Sequence, residues 1–402
     1  MTPGTRPQQQ RVSARHWLIL AVATFVAASG SAFVVGFAFL RPHLHTELGM
    51  SLTQAGVLVA MPSVGMALAL IAWGWLVDRT GEKLVLTSGS VLMAVGLAAA
   101  LTTDEFLLLA LILLVTGAAT ASGNSASGRL VVGWVPAERR GLAMGIRQMS
   151  QPVGAAIAAL TMPLLAESHG LHAALAVPLA MASVSAVAAL VVVTDPPRPP
   201  APAGSGADTT ARSPYRESRF LQRVHGVSVL LVLPQALMQS FLLAWLMLGH
   251  GWSATSAGVV VTVSQVLGAL ARIVAGAASD RVGSRMRPIR AVAISLTAGM
   301  AALAAAEALG APGAVAVTLA VVATVLSVSD NGLAFTAVAE FAGARWSGRA
   351  LGTQNTAQFV AISAATPLMA AAIEQVGYWP VFVAAAGIAA VAIPLVPADQ
   401  RR

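Results

Sequence analysis

The chain has 402 residues, of which 57% are hydrophobic and only 10% charged, with a formal net charge of +8 at pH 7. A soluble domain carries about 25% charged residues, so this composition lacks the polar surface to cover a water-exposed globule. Cysteine is absent, which excludes disulfides and thiolate metal sites.

Mean hydropathy is +0.77, and long apolar runs bounded by charges mark transmembrane helices. The fold class expected is an all-α membrane protein. After a polar, basic start (MTPGTRPQQQRVSAR), the apolar segment from His16 to Leu40 exceeds the 7–15 residues of a signal-peptide core. It reads as a first, uncleaved span. Twelve spans follow the pattern, at roughly 16–40, 52–77, 83–102, 106–135, 141–166, 171–194, 222–248, 255–279, 288–309, 312–341, 349–373 and 378–397. Each holds about 20 or more mostly apolar residues, enough to cross a hydrocarbon core about 30 Å thick.

Lys and Arg set the expected orientation. With the N-terminus in the cytoplasm, 21 of the 24 basic residues fall on the cytoplasmic side and only Arg41 falls outside, while Arg129 and Arg272 lie within spans. Both termini are therefore expected in the cytoplasm, the chain being multi-pass in the plasma (inner) membrane. Basic residues that line one membrane face do not form a nucleic-acid groove.

The segment DPPRPPAPAGSGADTTARSPYRESR, from Asp195 to Arg219, is rich in Pro, Gly, Ser and Ala and reads as a flexible linker. It divides the chain into an N-terminal six-helix half (1–194), a cytoplasmic linker (195–221) and a C-terminal six-helix half (222–402). The halves repeat. GWLVDRTGEK (74–83) aligns with GAASDRVGSR (276–285) at an offset of 202 residues, pairing Gly74 with Gly276, Asp78 with Asp280, Arg79 with Arg281, Gly81 with Gly283 and Lys83 with Arg285. A weaker echo joins RRGLAMG (139–145) to GRALG (348–352), each opening the fifth span of its half.

G-x-L-x-D-R-x-G-x-K between spans two and three, repeated in the second half of a 6+6 layout, resembles the major facilitator superfamily over essentially the whole chain. The resemblance implies two pseudo-symmetric six-helix halves around a central cavity, with alternating access by rocking. It also implies that Asp78 and Asp280 act as conformational latches, each near a helix N-terminus of the opposite half, where the dipole favours negative charge. The alternative is that both loops are merely solvated basic turns. Glu82 stands where the motif usually carries a basic residue, a departure expected to weaken this charge network.

Charged residues inside a bilayer are functional-site hypotheses by default. Arg272 lies eight residues before Asp280, about 12 Å from the end of span eight, with Gln265 two turns away on the same face. An arginine cannot shed its proton and needs a negative partner. That partner is either an anionic substrate, held bidentately, or protein: Asp330 or backbone carbonyls. Arg129 sits near Asn124 and Ser125 and either reaches the cavity or braces the bundle. Arg147 shares a face with Gln151, beside Gln148, and serves the cavity or a gate. Asp330, followed by Asn331, is deep in span ten and is the proton-coupling candidate, the alternative being a fixed salt bridge to Arg129 or Arg272. Glu340 belongs at the span edge. Gln235 and Gln239 in span seven, and Asn355 and Gln358 in span eleven, pair on helix faces and fit substrate contact or interhelix packing equally.

An arginine at this spacing from the second motif looks like the substrate arginine of the monocarboxylate and oxalate/formate branches of the superfamily. Three of their features are missing. Gly268 replaces an aspartate one turn before Arg272, residues 17–40 carry no charge, and no lysine occurs between 350 and 373. The resemblance thus points to anion binding more than to proton coupling.

The expected function is secondary active transport of a small, carboxylate-type organic anion by proton symport or anion exchange, with substrate, protons and lipid as partners. The alternative is a proton-coupled drug or metabolite efflux antiporter. Gln151-Pro152-Val153-Gly154 faintly resembles the Gly-Pro motif of span five in such antiporters, but Gln151 replaces the glycine. A non-transporting receptor fits the repeated motif poorly. No metal spacing, phosphate loop or nucleophile–base arrangement is present, so neither an enzyme nor a cofactor is expected, and nothing indicates oligomerisation.

Overall fold

In the computed structural model, residues 13–47, 49–197 and 213–399 are described. Among them all regular structure is helical. The N-terminal half holds α1 (Ala14–Ala38), a short α2 (Arg41–Thr46), α3 (Leu52–Thr80), α4 (Glu82–Ala100), α5 (Phe106–Trp134), α6 (Arg140–Arg147) and α7 (Ser150–Val192). After the short α8 (Pro214–Glu217), the C-terminal half holds α9 (Phe220–Ala244), α10 (Ala254–Val282), α11 (Met286–Ala308), α12 (Gly313–Val328), α13 (Asn331–Ala342), α14 (Ser347–Val376) and α15 (Tyr378–Leu395).

Among the described residues, eleven helices are long and apolar enough to cross a membrane. One of these continuous runs, Ala137–Val192, contains two crossings, because Gly170 inside α7 adopts φ 82° and ψ 178°. Only glycine takes that conformation at no steric cost, and there the chain turns back. The twelve expected spans are recovered with small boundary shifts. Leu, Val and Ala face outward over much of the bundle, Leu68, Leu107, Val191 and Leu368 among them. In water such a surface would aggregate; in lipid it is the solvent-facing side.

Two spans are interrupted in mid-course. Span five breaks between α6 and α7, and span ten between α12 and α13. Each break leaves helix-end carbonyls without intrahelical partners. In the sequence, Pro152 and Gly154 made a kink or a close packing point in span five plausible; the interruption of span ten was not expected.

The expected linker divides into parts. Residues 198–212 lie outside the described residues. Its first residue is fixed: the Asp195 carboxylate accepts from Glu82 N at 2.7 Å and Lys83 N at 2.8 Å, capping α4. A Cβ on Gly81 would strike that carboxylate at 2.4 Å, and Gly81 has φ 105°, so the motif glycine is required twice over. Pro214–Glu217 form α8, with Tyr215 Oη 2.9 Å from His225 Nε2, and Arg219 stands at the start of α9.

The halves meet mainly at the end that carries the basic loops, here the basic end. There α14 packs on α3 and α10 on α6, whereas α10 barely meets α7.

Candidate functional site

Two closures seal the basic end. In the first, α3 crosses α14 so closely that a Cβ on Gly74 would lie 2.3 Å from Gly348 O, and one on Gly348 would lie 2.4 Å from Gly74 O. One turn on, Asp78 accepts from Gly348 N (2.9 Å) and Arg349 N (3.0 Å) at the start of α14. Arg349 Nε adds a third bond at 3.0 Å. In the second, α10 crosses α6, and a Cβ on Gly276 would lie 2.1 Å from Gly141 O. Asp280 accepts from Gly141 N (2.9 Å) and Leu142 N (2.8 Å). Each aspartate thus sits on a helix N-terminus of the other half, where free N–H groups and the dipole favour a carboxylate.

The charges behind the two carboxylates differ. Asp78 also pairs with Arg129 Nη1 at 2.7 Å, both side chains nearly inaccessible. Arg129 Nε binds Glu82 at 2.6 Å, and Glu82 is fully buried. Arg129 therefore braces the closure and does not line the cavity. The expectation that Glu82 weakens the charge network is also corrected, since Glu82 supplies the second carboxylate that a buried guanidinium needs. Behind Asp280 stands Arg285 Nη1 at 2.6 Å, itself 3.2 Å from Glu340. Burial alone would lower the pKa of Arg285; Glu340 and Asp280 more than offset that and hold it above the ordinary arginine value. Arg79 stacks on Trp75 at 3.8 Å, Arg281 is exposed, and Gly283 caps α10 with φ 64°.

Beyond the closures, toward the opposite end, lies a cavity of about 330 Å³ between the halves. Its wall along α1 runs from buried Ala27 to exposed Ala38, so it is shut at the basic end and opens away from it. Arg147, Asn124, Gln151, Gln239, Asn331, Asn355 and Gln358 all line it, as do Gln148 and Gln235. Arg272, Arg129, Gln265 and Asp330 are not among the lining residues. Polarity patterns could not separate the two groups, because a polar side chain turned toward a neighbouring helix reads the same in sequence as one turned toward the cavity.

Arg147 is the cation of the cavity wall. It is 3% exposed. Its Nε donates to Ser127 Oγ at 2.8 Å, its Nη2 to Asn124 O and Oδ1 at 3.2 Å each, and its Nη1 to Gln148 Oε1. No carboxylate lies within ion-pair distance of it among the described residues.

Arg272 has a different role from the one its position suggested. It is 4% exposed, its Nη1 donates to Gln148 O at 2.8 Å and its Nε to Val328 O at 3.3 Å. Those carbonyls stand at the C-terminal ends of α6 and α12. One guanidinium therefore caps both broken helices, where the dipole's negative end favours a cation. Of the two protein partners considered, backbone carbonyls are found; no ion pair joins Arg272 to Asp330 among the described residues. Asp330, 2% exposed, lies at the second break.

The Major Facilitator Superfamily model matches residues 20–366. The chain belongs to the Major Facilitator Superfamily. This transporter is 44% identical over 382 residues to the uncharacterized MFS-type transporter Rv2994 of Mycobacterium tuberculosis, covering 95% of the chain and 85% of the relative. It is 31% identical over 300 residues to the "Probable nitrate/nitrite transporter NarK2" of the same species, covering 71% of the chain and 72% of the relative. Among solved structures, the proton:xylose symporter XylE superposes with a TM-score of 0.77 over 95% of both chains at 14% identity, a likeness of fold alone.

Proposed function

We propose that this transporter carries a small, carboxylate-type organic anion by alternating access, with Arg147 as the cation that holds it. One observation carries the reading: a buried arginine on the cavity wall, hydrogen-bonded only to neutral groups, with no carboxylate to neutralise it. A buried charge of this kind is costly unless paired, and an anion entering the cavity supplies the pair. The nitrate/nitrite relative, whose named substrates are anions, supports the same charge. Arg272 holds the two helix breaks that put Arg147, Gln148 and Asn331 on the wall. In this reading the basic end is cytoplasmic, Asp78 and Asp280 latch it shut, and the cavity faces outward.

Coupling is by proton symport or anion exchange, with Asp330 as the proton carrier in the first case. Asp330→Asn should then abolish accumulation driven by a proton gradient yet spare exchange; accumulation that survives removes Asp330 from the mechanism. The anion reading is tested by thermal shift of purified protein against carboxylates, inorganic oxyanions, sugars and cationic drugs, because a ligand that binds the folded state stabilises it. Stabilisation by carboxylates, lost in Arg147→Gln, is expected. Stabilisation by sugars or cationic drugs alone would overturn it.

A further inference from the structure

The amides of the cavity wall are not equivalent. Asn124 and Gln148 accept from Arg147. Asn331 Nδ2 donates to Gln235 Oε1 at 3.1 Å, and Asn355 Nδ2 to Leu351 O at 2.9 Å. These groups are committed to the protein. Gln358 is not. It is 8% exposed, lines the cavity, and its Nε2 is buried with no hydrogen-bond partner among the described residues. An orphaned buried amide costs about 1–3 kcal/mol. Rotation about its last side-chain bond presents either the N–H or the carbonyl to the cavity. Gln358 stands on α14 and Arg147 on α6, so the two groups belong to opposite halves.

Size adds a second constraint. The cavity holds about 330 Å³, and a water takes about 30 Å³ of liquid volume. An inorganic ion with three oxygens, a few waters in size, fills a minor part of that space. Phe335, Phe359 and Met66 give the remainder an apolar wall.

We infer that Gln358 is a specificity-determining residue, and that the substrate is an organic anion bearing a second polar oxygen remote from its charged head. The head lies on Arg147, the apolar body lies along the phenylalanines, and the remote hydroxyl or carbonyl oxygen meets the Gln358 amide. This rests on the anion reading above and adds to it a choice among anions. A bound substrate then touches both halves, and a missing remote oxygen leaves a buried amide unpaired, the arrangement that discriminates most strongly.

The test is binding by the purified full chain of two matched pairs, butyrate with 4-hydroxybutyrate and benzoate with 4-hydroxybenzoate, with nitrate as the bare head. The wild type should favour the hydroxylated member of at least one pair about tenfold or more, as expected of one buried hydrogen bond, and bind nitrate more weakly. Gln358→Leu should erase that preference, because no amide is then left unpaired by the unhydroxylated member. Gln358→Met, closer in length to glutamine, guards against a packing defect in the leucine variant. A preference that is absent in the wild type, survives both substitutions, or gives way to nitrate as the tightest ligand overturns the inference. Arg147→Gln separates the two readings. If it abolishes binding of every anion while the Gln358 variants change nothing, only the choice among anions fails. If the wild type binds none of the five, both fail.

Discussion

The offset of 202 residues that relates Gly74 to Gly276 also relates Leu70 to Arg272, and the structure uses the two positions alike up to a point. A Cβ on Gly352 would lie 2.6 Å from Leu70 O, and one on Gly145 would lie 2.6 Å from Arg272 O. Both closures are the same small-residue crossing, built twice. Around Leu70 the neighbouring helices α5 and α14 run unbroken, and Ser125 Oγ donates to Leu70 O at 3.0 Å. Around Arg272 the facing spans are both broken, and their carbonyls end on its guanidinium. The repeat supplies a symmetric pair of crossings. The departure from symmetry, one leucine against one arginine, is where helices stop and polar groups turn into the cavity.

Copying the first half into the second breaks this comparison most severely. Arg272→Leu leaves two helix-end carbonyls without donors, an expected loss of about 2–4 kcal/mol, read as a fall in Tm together with loss of transport. A Tm equal to that of the wild type would show that the breaks do not need their cap. The crossings themselves should respond equally in both halves. Gly74→Val and Gly276→Val each place atoms on a backbone oxygen that a Cβ alone would approach to 2.3 and 2.1 Å respectively, and should hold the basic end open. Because the chain has no cysteine, a single Ser31→Cys on the cavity wall reports this as labelling from the basic side. A paired substitution sharpens the contrast in charge, and its weaker member is the smallest effect. Asp78→Asn strips a carboxylate from buried Arg129 and should cost about 3 kcal/mol. Asp280→Asn faces the more exposed Arg285 and should cost about 1 kcal/mol, falling further in high salt. Equal costs would mean that burial of Arg129 is energetically irrelevant.

Topology was legible because it rests on local signals. Apolar runs, basic loops and a motif with its repeat each lie within a few tens of residues. The placement of Asp78 and Asp280 was also legible, since the motif resemblance sets each near a helix N-terminus of the opposite half. The role of Arg272 was not. Its partners are backbone carbonyls at Gln148 and Val328; Pro152, which has no N–H to offer Gln148 O, and Gly332 lie just past the two breaks, but neither says which side chain meets the freed carbonyls. The pairing of Glu82 with Arg129 joins residues 47 apart, and only the packing of α4 on α5 brings them together. Asn331 faces the cavity and Asp330 does not, though they are adjacent, because successive side chains on helical backbone point about 100° apart.

Counterflow of labelled 4-hydroxybenzoate into liposomes loaded with the unlabelled anion tests whether Arg147 is the cation that holds the substrate. Uptake is expected from the wild type, a reduced rate with a raised KM from Arg147→Lys, which keeps the charge but loses the planar fork, and no uptake above empty liposomes from Arg147→Gln. Uptake by Arg147→Gln at the wild-type rate and KM would contradict it.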